Sequence, residues 1–227
     1  METHSRREKF EKIIERLTEF IVLGKAHVEI GKGIANTITG DPVISGVAPV
    51  FWGMSITAHI DAAQMFAFKL FDTRSGSMTV QYLLERAQEC STDFQRATPE
   101  QVSALIRDAC TDIRGIADSL KPLRAKRNRI LAHVDSTIVG DPGRLAKETK
   151  VTFGDLDRIF GAGGKIVNTI SGAFRDISSS LVLTGTTDYE SVVQLIVDAK
   201  HAQVDRYEKE FNQPSPFPRP KLKKSAW

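Results

Sequence analysis

The feature that most restricts the fold is an uncharged stretch, residues 42–60, in the first third of the chain. None of its side chains carries a formal charge, and a run of this length could cross a membrane by size alone. Prolines and glycines interrupt it, and serine, threonine and histidine add polar groups, so we exclude a transmembrane helix and expect no membrane partner. The interrupting residues are Pro42, Gly46, Pro49 and Gly53.

Residues 49–71 are predicted to form the central helix of the fold. A loop is expected to about Ala48, after which Pro49 occupies the first helical turn and the helix runs to Phe71. Apolar side chains lie nearly all round this helix, and such a helix packs at the centre of a helical bundle. His59 on this helix is interpreted as a hydrogen-bonded core or interface group rather than a ligand.

The remaining sequence shows the same helical spacing, since apolar residues recur every three or four positions. Further helices are predicted over residues 6–38, 78–90, 99–120, 152–174 and 188–211. Thr98 and Pro99 form one start signal, and Thr152 with Asp155 forms another. Pro122 is expected to kink or restart its helix. The sequence therefore predicts an all-α fold, an antiparallel bundle of about five to seven helices without a sheet.

Length and composition are typical of a globular protein, with 227 residues, 41% hydrophobic and 26% charged. We assign residues 1–211 to a single helical domain and residues 212–227, with four prolines and four cations, to a flexible tail. The charged N-terminus does not resemble a secretory signal. Cys90 and Cys110 fit no zinc spacing, so we expect two buried thiols in a reducing cytoplasm.

A glycine-rich segment, GAGGK at residues 161–165, invites comparison with a phosphate-binding loop. A Walker loop needs a glycine where Ile159 stands and a serine or threonine where Ile166 stands. We therefore expect these glycines to permit a bend or a close helix contact instead.

The densest positive charge lies in residues 121–135, KPLRAKRNRILAHVD. Five cations fall within nine residues without an acidic neighbour and create a field suited to phosphate, although the net charge of the chain is only +3. A solvated basic face is the commoner explanation of such a run. Alternatively, the apolar residues 130–132 carry the helix into the core, where His133 could exchange protons near neutral pH. The five cations are Lys121, Arg124, Lys126, Arg127 and Arg129.

A motif inside this segment resembles a known family. Arg127 and Asn128, followed after four residues by His133, resemble the signature of the HEPN superfamily, in which an arginine and usually a polar residue precede a histidine. The sequence RNRILAHVD resembles the branch associated with abortive-infection phage resistance of the U type, as does the helix-break-helix of residues 70–84, LFDTRSGSMTVQYLL. The resemblance covers most of residues 10–210.

The resemblance implies a metal-independent endoribonuclease that needs no cofactor and cleaves RNA by attack of the ribose 2′-OH. Arg127, Asn128 and His133 are the implied catalytic residues. The family also implies a homodimer in which two motif helices meet, an abortive-infection role in the cytoplasm, and an antitoxin protein as a candidate partner. The basic residues assigned to RNA binding are Lys121, Arg124, Lys126 and Arg129.

The spacing of the motif agrees with a dimer. Arg127 and His133 are six residues apart and lie about 120° from each other around a helix, so one chain does not align them. Arg129 and His133 do share a face. Asp135 stands where the family's regulatory branch has a modified tyrosine, so we do not expect control by tyrosine modification. The alternative function is a non-catalytic nucleic-acid or protein interaction module, because fold does not imply function.

Overall fold

The computed structural model describes residues 2–72, 77–127, 148–182 and 185–222. These ranges form eight α-helices and one short 3-10 helix (Ser91–Asp93) and contain no β-strand, which confirms the all-α class. The helices are α1 (Glu2–Gly40), α2 (Pro42–Val47), α3 (Pro49–Phe71), α4 (Val80–Glu89), α5 (Pro99–Gly115), α6 (Ala117–Lys126), α7 (Phe153–Arg175) and α8 (Asp188–Phe211).

The short helix α2 replaces the loop that the sequence predicts before residue 49. Asp41 caps this helix, since its Oδ1 accepts hydrogen bonds from the N–H groups of Val43 and Ile44 at 3.0 and 3.5 Å. Pro42 occupies the first turn, where its missing N–H costs nothing. The same Asp-Pro pair that ends α1 therefore also begins α2.

The helix predicted over residues 99–120 is two helices. The chain leaves helical geometry at Ile116, where φ is −103° and ψ is 10°. Gly115 directly before it has low helix propensity, which favours a break at this point. Pro122 lies inside α6, which continues to Lys126. The break therefore precedes the proline that was expected to cause it.

The chain divides into two compact units, each made of two segments. Unit 1 comprises residues 1–25 and 62–183, and unit 2 comprises residues 26–61 and 184–227. Helices α1 and α3 contribute to both units. The single domain predicted for residues 1–211 stays a prediction.

Unit 1 is built on α7, against which α4, α5 and α6 pack. Three phenylalanines form the aromatic part of its core: ring centroids are 4.6 Å apart for Phe10 and Phe174 and 5.2 Å apart for Phe94 and Phe174. Helix α7 runs unbroken through the GAGGK segment. A Cβ on Gly164 would lie 2.6 Å from Cδ1 of Leu181, so this glycine permits a close contact, as the sequence predicts.

Unit 2 has its own core, in which α2 packs against α8. The buried residues of this core are Ile34, Ile44, Trp52, Val193 and Val197. The indole Nε1 of Trp52 donates a hydrogen bond to the carbonyl of Ile44 at 3.2 Å, so the ring is buried with its polar group satisfied.

Helix α3 is not enclosed on all sides, contrary to the sequence prediction. Val50 and Met54 are 73% and 68% exposed, whereas Trp52 between them is 3% exposed. One face of the first turns thus packs in the core of unit 2, and the other meets solvent. None of the helices in the described ranges combines the length and apolar character needed to cross a membrane.

The described part of the predicted tail, residues 212–222, is hydrogen-bonded to other residues of unit 2. The backbone N–H groups of Lys221 and Leu222 donate to Oδ2 of Asp41 at 2.6 and 3.2 Å. Arg219 pairs with Asp205 and Glu208 on α8 at 2.8 and 2.6 Å. A carboxylate that accepts backbone N–H groups is a strong acceptor, so Asp41 connects this segment to the start of α2. The flexible tail predicted for residues 212–227 stays a prediction.

Candidate functional site

Helix α6 brings the first motif residue, Arg127, to its C-terminal end. Leu120 and Leu123 on this helix are 2% and 1% exposed. Arg127 follows them at positions i+7 and i+4, so it extends the same core-facing stripe. Its backbone still has helical geometry, with φ −56° and ψ −52°. The sequence thus directs this arginine toward the interior of unit 1.

The guanidinium of Arg127 forms an ion pair with the carboxylate of Asp72 through Nη1 and Oδ1. The two side chains are only 21% and 19% exposed. Removing two charges from water costs free energy, which is offset only if the two groups are well oriented toward each other. The pair therefore fixes the direction of the arginine fork, which is the group best suited to bind a phosphate in two places.

Asp72, the ionic partner of Arg127, was not singled out by sequence reasoning. It directly follows α3, whose last residue is Phe71, and is separated from Arg127 by 55 positions. A carboxylate at a helix C-terminus faces the negative end of the helix dipole, which is unfavourable without another partner. The position of Asp72 after a helix C-terminus was the only sequence signal that this carboxylate needs a partner, but it does not identify Arg127 as that partner.

The other basic residues of α6 have different surroundings. Lys121 and Arg124 are exposed, and Lys126 is half-buried. Lys121 and Arg124 are three positions apart, so they share a solvent-facing side of the helix. The structure thus divides the basic run into a solvated face, which can meet a phosphate backbone, and Arg127, which points inward.

Three predicted site residues, Asn128, Arg129 and His133, lie outside the described residues, which end at Arg127 and resume at residue 148. The geometry given for the site is therefore that of Arg127 and its described neighbours. The predicted helix-break-helix of residues 70–84 is visible at its two ends, since α3 ends at Phe71 and α4 begins at Val80.

Helix α6 is held in place by α7. Thr152 and Asp155 form the predicted capping box of α7, and Ser119 on α6 donates a hydrogen bond from Oγ to Oδ1 of Asp155 at 2.9 Å. Partial burial on its own would raise the pKa of Asp155, but hydrogen bonds from Thr152 and Ser119 hold that pKa below its ordinary value. The carboxylate stays ionised at neutral pH and links α6, which ends at Arg127, to α7.

Unit 2 contains a separate pair of titratable groups, His27 on α1 and His59 on α3. Their Nδ1 atoms lie 2.9 Å apart, so one ring donates a hydrogen bond to the other. Burial lowers the pKa of both, and the neighbouring His59 lowers the pKa of His27 further. In the described ranges no three His, Cys, Asp or Glu side chains cluster closely enough to hold a metal ion.

The comparison with protein families gives a match over most of the chain. The model HEPN_AbiU2, described as AbiU2, matches residues 7–195, which include the motif and run from α1 into α8. Comparison with curated proteins and with solved structures gave no match. The family match confirms the resemblance to the HEPN superfamily and to its abortive-infection branch. The chain belongs to the AbiU2 family of HEPN proteins.

Proposed function

We propose that this protein is a metal-independent endoribonuclease of the abortive-infection type, active as a homodimer. Arg127 stabilises the charge on the scissile phosphate, His133 transfers protons, and Asn128 positions a phosphate oxygen. Lys121 and Arg124 bind the RNA backbone beside the site. The protein acts on cytoplasmic RNA as a toxin, with an antitoxin protein as its restraining partner.

The observation that carries this proposal is the placement of Arg127. An arginine that served only as part of a solvated basic face would extend into water, as Lys121 and Arg124 do. Arg127 is instead largely shielded and held by Asp72. A guanidinium fixed in advance and partly shielded from water stabilises developing phosphate charge better than a mobile one, because no reorganisation is needed during the reaction.

The proposed reaction needs only groups that the chain supplies. One imidazole removes the proton of the ribose 2′-OH, and the oxygen attacks the adjacent phosphorus. The bond from phosphorus to the 5′-oxygen of the next nucleotide breaks, and a second imidazole protonates that oxygen. The products are a 2′,3′-cyclic phosphate and a free 5′-hydroxyl. DNA lacks the nucleophile, so it should bind without being cleaved.

The test is cleavage of a labelled RNA in EDTA by the wild type and by Arg127→Ala and His133→Ala. We expect cyclic phosphate ends from the wild type and a loss of at least a hundredfold in rate for both variants. Lys121→Gln serves as a matched control that removes an exposed cation of the same helix, and we expect it to weaken binding with little effect on kcat.

Binding distinguishes the alternative function. If RNA binds but is not cleaved by the wild type, and if binding survives His133→Ala and falls steeply with salt, the protein is a non-catalytic interaction module. Cleavage that persists in both Arg127→Ala and His133→Ala would contradict the assignment of these two residues as catalytic.

Asp72 is a positioning residue in this proposal. Asp72→Asn keeps the size of the side chain and removes its charge, so Arg127 loses its ionic partner. We expect kcat to fall about 10- to 100-fold with KM nearly unchanged, as small misplacements of catalytic groups do. A purely structural role would instead lower the urea midpoint and leave kcat of the folded protein unaltered.

A further inference from the structure

A charged cleft lies in unit 1, between the N-terminal part of α1 and α4. Its volume is about 390 Å³, within the size range of small-molecule sites. Three cations line it, Arg6, Lys9 and Arg86. None of its lining residues belongs to the Asp72–Arg127 pair, so the cleft is distinct from that pair.

Two of these cations, Arg6 and Lys9, differ from the third in their partners, and one carboxylate, that of Glu89, also lines the cleft. Arg86 is paired with Glu89 at 2.5 Å. Arg6 and Lys9 are exposed and, within the part of the chain that the structure describes, make no ion pair. They are three positions apart on α1 and therefore adjacent on one face. The cleft thus presents two neighbouring positive groups to an incoming ligand.

The neighbouring residue Arg7, in contrast to Arg6 and Lys9, does form an ion pair. Its guanidinium pairs with Glu11 at 3.3 Å and lies over the ring of Phe174, 5.4 Å from the centroid. Arg7 is therefore occupied within unit 1, whereas Arg6 and Lys9 on the cleft face are not.

The floor and wall of the cleft are apolar and aromatic. Phe10 and Ile13 line it and are 2% and 5% exposed. Tyr82 forms part of the wall, and the guanidinium of Arg86 stacks over its ring at 5.0 Å. This stack offers a flat, partly charged surface of the kind on which nucleic-acid bases pack.

Cys90, which lines the cleft, is expected to be unreactive. Burial raises the pKa of the Cys90 thiol to about 11, with a smaller opposing effect from the positive charge of Arg6. The thiol therefore stays protonated at neutral pH and is a poor nucleophile.

We propose that this cleft binds one nucleotide, with the phosphate held by Arg6 and Lys9 and the base packed against the Tyr82–Arg86 stack. A simple anion would satisfy the cations but leave the aromatic wall unused, and an apolar ligand would leave the two charges unused. A positive groove combined with aromatic side chains is the arrangement by which proteins hold single-stranded nucleic acid without reading its sequence.

The experiment measures binding of a fluorescein-labelled 2′-O-methyl RNA octamer, which lacks the nucleophilic hydroxyl and cannot be cleaved. Its outcome is therefore independent of nuclease activity. Arg6→Gln/Lys9→Gln removes the two cleft charges. The matched control, Lys12→Gln/Arg107→Gln, removes two exposed cations that do not line the cleft.

We expect the cleft variant to bind at least tenfold more weakly than the wild type, with a slope of log K against log salt shallower by about 1.4. The control should change affinity less than twofold. Tyr82→Leu, which keeps an apolar side chain but removes the flat ring, should weaken binding at least fivefold. Equal affinity of the cleft variant and the control would overturn the proposal.

Competition with uridine monophosphate shows whether the cleft binds a free nucleotide or one nucleotide of a longer RNA. If free nucleotide displaces the octamer from the wild type, and binds the cleft variant at least tenfold less well, the cleft accepts nucleotides individually. If only oligonucleotides compete, the cleft holds one nucleotide of a longer RNA. Competition that is equally effective against wild type and cleft variant would place nucleotide binding elsewhere and contradict the proposal.

Discussion

At the scale of single residues, the His27–His59 contact makes stability depend on pH. Because burial lowers the pKa of both rings, the folded state binds protons less readily than the unfolded state. The stability they contribute is fully present above the ordinary histidine pKa of about 6.5 and is lost as pH falls through the lowered values. Double protonation would also bring together two cations whose Nδ1 atoms lie 2.9 Å apart.

We therefore expect the urea midpoint to fall between pH 7.5 and pH 5.5, and to fall less in His59→Gln, in which one titrating ring is absent. His201→Gln is the control, since His201 lies on α8 and is not part of the His27–His59 pair. Circular dichroism at several urea concentrations gives the midpoints. An identical pH dependence in wild type and His59→Gln would show that the pair does not set it.

Gly24 permits a close approach of α1 to α7. A Cβ at this position would lie 2.1 Å from Cζ of Phe160, a ring that is 1% exposed and has little room to move. We expect Gly24→Ala to destabilise the protein by about 1–3 kcal/mol through overpacking. Gly161→Ala is the matched control: nothing lies within 4 Å of its Cβ, so alanine should raise stability by roughly 0.5–1 kcal/mol. Urea unfolding of both variants measures the difference, and a stable Gly24→Ala protein would refute the close contact.

Arg127 and Asp72 show how far residue-level prediction reaches. Arg127 was identified from a local motif, because the arginine, the polar residue and the histidine stand within seven positions. Asp72 was not, because it meets Arg127 across 55 positions. Likewise, His59 was interpreted as a hydrogen-bonded group, but its partner His27 is 32 positions away. A local pattern reveals a residue's character, whereas its partner depends on how the helices pack.

At the scale of helices, boundaries with local chemistry were predictable. The capping boxes at Thr98 and Thr152 both form, because their hydrogen bonds join residues three positions apart. The start of α6 was not predicted, since Pro122 carries a stronger local signal than the break at Ile116. Helix α2 was missed for a related reason: Asp41 ends one helix and caps the next.

Asp41 joins α2 to the C-terminal segment, and its removal should affect both. The residue is 1% exposed, and its carboxylate accepts hydrogen bonds from N–H groups in both segments of unit 2, at Val43 and at Lys221. We expect Asp41→Ala to destabilise the protein by about 2–4 kcal/mol, from a lost helix cap and buried N–H groups left without an acceptor. Asp108→Ala, on an exposed position of α5, is the control and should change stability by less than about 0.5 kcal/mol.

The same carboxylate predicts sensitivity to acid. Burial on its own would raise the pKa of Asp41, but hydrogen bonds from the backbone of Leu222, Lys221, Val43 and Ile44 hold it below its ordinary value. A lowered folded pKa gives stability that is present above the unfolded pKa of about 4 and is lost as pH falls through the folded value. We expect acid unfolding monitored by circular dichroism to show a weaker pH dependence in Asp41→Asn than in the wild type. An unchanged acid transition would contradict this assignment.

At the scale of the whole molecule, the all-α class followed from apolar spacing alone, whereas the division into two units did not. Both units share the long helices α1 and α3, so neither composition nor a linker marks the boundary between residues 25 and 26. The exposed face of α3 was also unpredictable, because Val50 and Met54 have the same apolar character as buried Trp52. Only their direction around the helix separates them.

The proposed dimer makes a prediction that belongs to the assembly. If both imidazoles of a symmetric dimer serve one cleft, a chain with His133→Ala inactivates any wild-type chain with which it pairs. When equal amounts of the two chains are refolded together and exchange at random, about a quarter of the dimers contain two wild-type chains. Cleavage should then fall to about a quarter of the rate measured for the same total concentration of wild type, whereas chains that act independently would retain about half. Lys121→Gln mixed in the same way is the control and should leave kcat nearly unchanged.

Sedimentation at micromolar concentration provides the companion measurement, because a wild type that stays monomeric there while cleaving RNA would rule out a site built from two chains.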